Sequence, residues 1–101
     1  MFFYIISKFR KFMSQRYTRI KEKLTMQLRP EVLDIRDDSI LHKNHGNISK
    51  DDTETHFYIK IKSGVFNGKN KLVMHKMVYS ILKEEFSDGL HAVELDLSDN
   101  K

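Results

Sequence analysis

The fold is decided by residues 55–95, which read THFYIKIKSGVFNGKNKLVMHKMVYSILKEEFSDGLHAVEL. The first eight of these residues alternate between apolar and polar side chains, which is the pattern of a strand with one buried face. After a turn marked by two glycines, Asn70 can cap a helix whose apolar residues recur at helical spacing. Alternation then returns, with Val93, Leu95 and Leu97 facing inward. The stretch therefore predicts strand, turn, helix and strand, with the helix covering the apolar face of both strands.

A basic helix and a short strand are predicted before this stretch. Residues 13–28 place apolar side chains on one stripe of a helix, and Pro30 is expected to end it with Arg29 in an extended conformation. The cations expected to point outward from this helix are Arg16, Arg19, Lys21 and Lys23. Residues 32–37 are then expected to form a strand. The resulting order, α-β-β-α-β, predicts a two-layer α/β (α+β) sandwich with a three-stranded mixed sheet, in which a right-handed helical crossover joins the last two strands.

The chain of 101 residues has the length of one small domain, which is predicted to span residues 13–98. Residues 1–12 are expected to be a disordered extension, and residues 99–101 a short tail. The extension is apolar first and basic second, unlike a secretory signal, and it is too short to span a bilayer. Its lack of acids resembles a mitochondrial presequence. The expected compartment is therefore the cytoplasm, with the mitochondrial matrix as the alternative.

Positive charge is concentrated at the start of the chain. The first 29 residues hold eight Lys and Arg residues and one acid, whereas the remaining residues hold ten Lys and Arg residues and thirteen acids. Such a basic segment could contact phosphates or an acidic partner, although a solvated helix face is the simpler explanation.

Residues 38–54, which read DSILHKNHGNISKDDTE, form a polar segment that is long for a link between neighbouring strands. The segment carries His42 and His45, and two histidines at this spacing can bind one metal ion. Loop histidines are also common as ordinary solvated residues. Because the chain contains no cysteine, its own metal ligands can only be histidines or carboxylates.

The sequence does not predict an enzyme. It contains no cysteine nucleophile, no nucleophile-elbow motif, no phosphate-binding loop and no GxGxxG motif. The adjacent acids Asp37 and Asp38 are expected to point apart on a strand. Glu84 and Glu85 are expected to lie together on a solvent-exposed helix face.

The three histidines outside the polar segment are His56, His75 and His91. His56 begins a predicted strand and His75 lies on the predicted helix, so both are expected to pack and to hydrogen-bond locally. His91 follows a glycine at the entrance to the last strand, where its side chain can emerge at the edge of the fold.

Four separated segments read LRPEVLDIRDDS (28–39), THFYIKIKSGVFNGKNK (55–71), HKMVYSILKEEF (75–86) and GLHAV (89–93). In this order and at this spacing they resemble the BolA family, and the resemblance extends across residues 13–97. The resemblance implies a fold similar to class II KH domains, which agrees with the order of elements predicted above.

The resemblance also implies a partner and a cofactor. BolA proteins bind monothiol glutaredoxins, and the pair can hold a bridging [2Fe–2S] cluster in iron–sulfur cluster trafficking or iron sensing. The glutaredoxin cysteine and glutathione supply thiolates, while the BolA chain supplies a C-terminal histidine and a residue of the loop between its first two strands. His91 matches the first of these ligands. His42 matches the second, with His45 as a competing candidate because the length of this loop varies.

This ligand set is consistent with a chain that lacks cysteine. Two histidines can replace two cysteines on one iron, as in Rieske centres, and they raise the reduction potential. The isolated chain is expected to be a monomer without a cofactor, and to form a heterodimer with its partner. Because histidine must be neutral to bind a metal, the shared cluster should loosen as the pH falls toward about 6.

Two alternative functions remain at this point. Some BolA proteins act as DNA-binding regulators of stress response or cell morphology, and here Lys69, Lys71 and Lys76 could contact phosphates near a helix N terminus. The turn at residues 64–68 reads GVFNG and lacks the usual GXXG form of a KH clamp, so DNA binding is expected to be weak. The third possibility is a protein adaptor without a metal.

Overall fold

The structure of this protein is a computed structural model, which describes residues 15–39 and 54–101. Its elements are α1 (Arg16–Leu28), β1 (Val32–Asp37), β2 (His56–Lys62), a short 3₁₀ helix (Gly64–Phe66), α2 (Lys71–Ile81), α3 (Lys83–Ser87) and β3 (Ala92–Ser98). The predicted order of helices and strands is confirmed, with a break at Leu82 that divides the second predicted helix in two. The predicted extension 1–12 and both loop histidines, His42 and His45, lie outside the described residues.

The sheet has the strand order β1-β2-β3. β1 pairs with β2 in an antiparallel arrangement, whereas β2 and β3 run parallel, so the predicted mixed sheet is confirmed. In the centre of the sheet Ile59 lies opposite Ile35 on one side and Leu95 on the other. This register brings the entrance of β2 beside the entrance of β3, with His56 opposite Ala92.

One apolar core lies between the sheet and the helices. Each of the predicted inward faces contributes to it, because alternate residues of a strand and every third or fourth residue of a helix share one side. The buried apolar residues are Ile20, Leu24, Leu28, Phe57, Ile59, Ile61, Phe66, Met74, Val78, Leu82, Leu90 and Leu97.

The end of α1 differs from the sequence expectation. Arg29 is left-handed, with φ 42° and ψ 57°, so the expected extended conformation before Pro30 is wrong. In this conformation the N–H of Arg29 bonds to the carbonyl of Thr25 at 3.0 Å, which caps the helix. The hydroxyl of the buried Ser63 donates to the carbonyl of Leu28 at 2.6 Å and ties the same helix end to the end of β2.

Glu85 is buried, and the expectation that it lies on an exposed helix face is wrong. Its side chain is 1 % exposed, and its carboxylate accepts hydrogen bonds from Arg19 at 3.0 Å and from Lys23 at 2.9 Å. The Nε atom of Arg16 lies 3.4 Å from the same carboxylate. Burial raises the pKa of Glu85, but the hydrogen bonds from Arg19 and Lys23 outweigh it, so the pKa lies below its usual range.

This cluster also corrects the expected orientation of the α1 cations. Arg16, Arg19 and Lys23 were expected to point outward, yet they turn toward Glu85 and their side chains are only 12 %, 13 % and 29 % exposed. Glu84, the neighbour of Glu85, is exposed as expected. These three cations of α1 therefore hold the helix against α3.

Candidate metal-ligand site at the open end of the sheet

His91 lies at the point where the chain enters β3. Gly89, with φ 114°, turns the chain, and Leu90 then inserts into the core. The N–H groups of His91 and Ala92 both bond to the carbonyl of Thr55, at 2.8 and 3.2 Å. The backbone of His91 is therefore fixed against the start of β2, while its side chain is exposed to solvent.

The ring of His56 contacts the ring of His91. The two ring centroids are 5.5 Å apart and the ring planes are inclined at 84°, which is an edge-to-face arrangement. The hydroxyl of Thr55 lies 3.0 Å from Nδ1 of His56, so the expected local hydrogen bond of this histidine is confirmed. Its contact with His91 was not predicted, although the parallel pairing of two strands that both begin near a histidine would have suggested it.

A shallow cleft of 160 Å³ adjoins the histidine pair. It is lined by Asp38, His56, Phe57, Ala92, Val93 and Glu94. The carboxylate of Asp38 accepts two hydrogen bonds from the guanidinium of Arg36, at 2.6 and 3.1 Å. Asp38 is therefore already paired with a cation and is a poor metal ligand.

Asp37 brings together Ser39 and Glu54, the described residues on either side of positions 40–53. Its carboxylate accepts the N–H of Ser39 at 2.9 Å and the N–H of Glu54 at 3.1 Å. The N–H of Asp38 also bonds to the carbonyl of His56 at 2.7 Å. Ser39 and Glu54 thus lie at the same end of the sheet as His91.

The donors in the described part of the chain do not complete a metal site. Among residues 15–39 and 54–101, no group of three or more histidines and acids is placed to hold a metal ion. Two neighbouring imidazoles, with no cysteine anywhere in the chain, provide at most half of a four-coordinate site. A cluster held here needs further ligands from residues 40–53 or from a partner.

The remaining predicted residues lie on α2 or just before it. Nδ1 of His75 is 2.8 Å from the carbonyl of Lys71, so this histidine forms the expected local hydrogen bond. The amine of Lys71 donates a hydrogen bond to the carbonyl of Leu97, so this amine is already used in a contact within the fold. Lys69 and Lys76 are exposed.

Comparison with known proteins identifies the family of this chain. Residues 24–100 match the family model described as BolA-like protein. The chain belongs to the BolA family. The resemblance seen in the sequence is therefore confirmed, whereas the ligand roles of His91, His42 and His45 stay predictions.

Two relatives of this BolA-family chain come from Arabidopsis thaliana. The chain is 42 % identical over 81 residues to the chloroplastic protein BOLA1, a match that covers 79 % of this chain and 51 % of that protein. It is 37 % identical over 86 residues to the chloroplastic/mitochondrial SufE-like protein 1, which covers 82 % of this chain and 23 % of that protein. The chain thus spans about half of the first relative and about a quarter of the second.

A solved structure and a bacterial relative extend the comparison. The BolA domain of SufE1 from A. thaliana superimposes with a TM-score of 0.77 at 35 % identity, covering 87 % of this chain and 95 % of that domain, which confirms the α+β fold. The DNA-binding transcriptional regulator BolA of Escherichia coli is 38 % identical over 77 residues, covering 76 % of this chain and 69 % of that protein. In the described part of this BolA-family chain, no helix has the length and apolar character needed to cross a membrane.

Proposed function

We propose that this BolA-family chain binds a monothiol glutaredoxin and shares a bridging [2Fe–2S] cluster with it, in iron–sulfur cluster trafficking or iron sensing. The observation that carries the proposal is the position of His91. Its exposed ring stands at the same end of the sheet as Ser39 and Glu54, the residues that flank positions 40–53. We assign His91 as one cluster ligand and His42 as the second, with His45 as the alternative. The role is that of a binding protein and not of an enzyme.

The donor set explains why a partner is needed. A [2Fe–2S] cluster is ordinarily held by four thiolates, and two imidazoles can replace two of them on one iron. This chain has histidines and no cysteine, so the thiolates come from the glutaredoxin cysteine and from glutathione. The chain alone is then a monomer without a cofactor, and the complex is a heterodimer.

The exposure of His91 supports a transferable cluster. A ligand on an open surface leaves the cluster accessible to solvent and to acceptor proteins, unlike a cluster buried in a protein core. Because His91 must be neutral to bind iron, protons compete with the cluster. For the compartment we propose the cytoplasm, with the mitochondrial matrix as the alternative, and the chloroplastic/mitochondrial name of SufE-like protein 1 supports an organellar setting.

A spectroscopic titration tests this proposal. The protein is added to a cluster-loaded monothiol glutaredoxin in the presence of glutathione, while visible absorption and circular dichroism are recorded. A spectral change that saturates at one equivalent is expected, because imidazole replaces thiolate on iron. An unchanged spectrum with binding confirmed by calorimetry would leave a protein adaptor, and the absence of binding would reject the glutaredoxin partner.

DNA binding is the second candidate function. The N terminus of α2 and the exposed Lys69 and Lys76 favour it, as does the name of the E. coli relative. Against it, Lys71 is occupied by the carbonyl of Leu97, and the apolar side chain of Leu72 is 63 % exposed on the same helix turn. Duplex affinity measured against salt concentration tests this candidate. Specific binding at physiological salt that falls when Lys69 and Lys76 are replaced by alanine would favour the regulator.

A further inference from the structure

The two histidines at the open end of the sheet differ in how firmly they are held. His91 is exposed and is tied to the fold through its backbone N–H. His56 is half-buried and is held from several sides. It pairs with Ala92 in the sheet, its carbonyl accepts the N–H of Asp38 at 2.7 Å, and its ring nitrogen Nδ1 meets the hydroxyl of Thr55 at 3.0 Å.

An exposed ligand side chain samples several rotamers, and binding a metal then requires it to adopt one of them. A neighbouring group that holds the ligand in its binding rotamer before the metal arrives lowers the entropy cost of binding. Supporting residues strengthen metal sites in this way. The ring of His56 contacts the ring of His91 edge to face, at 5.5 Å and 84°. The firmly held histidine therefore limits the orientations open to the exposed one.

We propose that His56 is a positioning residue for His91: its ring, placed at the start of β2 by the pairing with Ala92, holds the imidazole of His91 in the orientation that binds the shared cluster. The assignment rests on the proposed function, because it gives His56 a role in the same site. It separates the two histidines by task, since His91 contacts iron and His56 does not. It also explains why a histidine at the first position of β2 lies half-buried beside an exposed histidine at the entrance of β3.

Three variants distinguish positioning from ligation and from a general structural role. His56→Ala removes the ring. His56→Phe keeps a ring of similar shape that can contact His91 but removes both nitrogens, so it can position but cannot bind iron. His75→Ala is the matched control, because it removes another half-buried histidine whose ring bonds to Lys71 on α2.

The first readout uses the isolated protein and needs no cluster. Three-bond NMR couplings report the χ1 rotamer of His91. We expect one dominant rotamer in the wild type, in His56→Phe and in His75→Ala, and averaging over rotamers in His56→Ala. Equal averaging in the wild type and in His56→Ala would overturn the positioning role, whatever the fate of the cluster.

The second readout uses the complex with cluster-loaded glutaredoxin. Loss of a supporting residue weakens metal sites by about 10–100-fold; because His56 acts through a ring contact alone, we expect the lower end, about tenfold faster cluster loss to a chelator in His56→Ala. His56→Phe and His75→Ala should retain the wild-type rate and the wild-type circular dichroism spectrum. Thermal unfolding of each variant identifies any loss of fold.

The outcomes distinguish the positioning role of His56 from the proposed function of the chain. If His56→Phe loses the cluster as fast as His56→Ala while keeping one His91 rotamer, His56 is itself a ligand and the positioning role is overturned. If His56→Ala retains the cluster at the wild-type rate, the positioning role is also overturned. If His91→Ala leaves the cluster spectrum unchanged, the proposed function fails, and the rotamer couplings still decide whether His56 orients His91.

Discussion

Replacement of Glu85 by glutamine is expected to destabilise the protein strongly. The side chain is 1 % exposed and accepts hydrogen bonds from Arg19 and Lys23, with Arg16 at 3.4 Å. Glutamine has almost the same volume, so no cavity forms, but it removes the buried anion that the three cations share and leaves them only the more distant carboxylates of Asp88 and Glu84, at 3.7–3.8 Å. Removing one partner of a buried ion pair costs about 3–5 kcal/mol. Glutamine keeps one acceptor and Lys23 can turn to solvent, so we expect a loss of about 2–3 kcal/mol in the free energy of unfolding, near the range for hydrogen bonds to charged groups.

Urea unfolding at pH 7 measures this loss, and the melting temperature should fall by roughly 10–20 °C for a domain of this size. Glu84→Gln is the matched control. It makes the same chemical change one residue earlier, where the side chain is 73 % exposed and its contact with Lys23 is 3.8 Å long, so we expect less than about 0.5 kcal/mol. If both variants lose equal amounts of stability, the buried cluster does not hold α1 to α3.

The dependence on pH has a definite sign. The folded pKa of Glu85 is lowered, so its contribution to stability is fully present above the unfolded pKa of about 4.5 and is lost as the pH falls through the folded value. The difference in stability between the wild type and Glu85→Gln should therefore shrink below about pH 4.5. A difference that stays constant from pH 7 to pH 3 would show that the carboxylate charge is not its cause.

Three further variants test other parts of the structure. Ser63→Ala should lower the free energy of unfolding by about 1–3 kcal/mol, because the buried carbonyl of Leu28 loses its donor. Urea titration measures the loss, and a loss smaller than that of an exposed serine variant would exclude this role of Ser63. Asn70→Ala should lower the free energy of unfolding by about 1 kcal/mol, because it removes the acceptor of the N–H of Val73 at the start of α2. Asn70→Asp keeps an acceptor and should retain the wild-type stability. Equal stability of Asn70→Ala and the wild type would exclude capping by Asn70. His91→Ala should change the stability of the isolated chain by less than about 0.5 kcal/mol, since its ring is exposed, and a larger loss would assign a structural role to His91.

Hydrophobic periodicity was sufficient to predict the fold. The alternation around Phe57 and Ile59 and the stripe from Met74 to Val78 each predict one buried face, and a helix that covers one face of the sheet buries both. Asn70 was recognisable as a cap because its position before a helical stripe is a local signal. Local signals of this kind depend on neighbours in sequence, and for that reason they are readable without a structure.

The errors arose where distant residues meet. Nothing adjacent to Glu85 shows that Arg19 and Lys23, more than sixty residues earlier, converge on it. Arg29 is left-handed because its N–H caps α1 through Thr25, a requirement of the helix end that overrides the usual preference of a residue before proline. Tertiary contacts of this kind cannot be read from composition or periodicity.

The candidate site was predictable in part. The position of His91 at a strand entrance follows from the pattern of residues 89–97, and its exposure agrees with the role that the family resemblance implies. The contact between His56 and His91 depends on the parallel register of β2 and β3, which periodicity does not determine. His42 and His45 lie outside the described residues. Replacing each of them in turn is the experiment that decides which one is the second cluster ligand.

Pulsed electron paramagnetic resonance of the reduced complex detects whether histidine nitrogen of this chain binds the cluster iron. The protein is labelled with ¹⁵N-histidine and bound to cluster-loaded, unlabelled monothiol glutaredoxin with glutathione. Hyperfine coupling from histidine nitrogen to the cluster is expected, with loss of one coupling in His91→Ala. A reduced cluster without any ¹⁵N coupling in the wild-type complex would rule out ligation by this chain, because all of the cluster ligands would then come from outside its histidines.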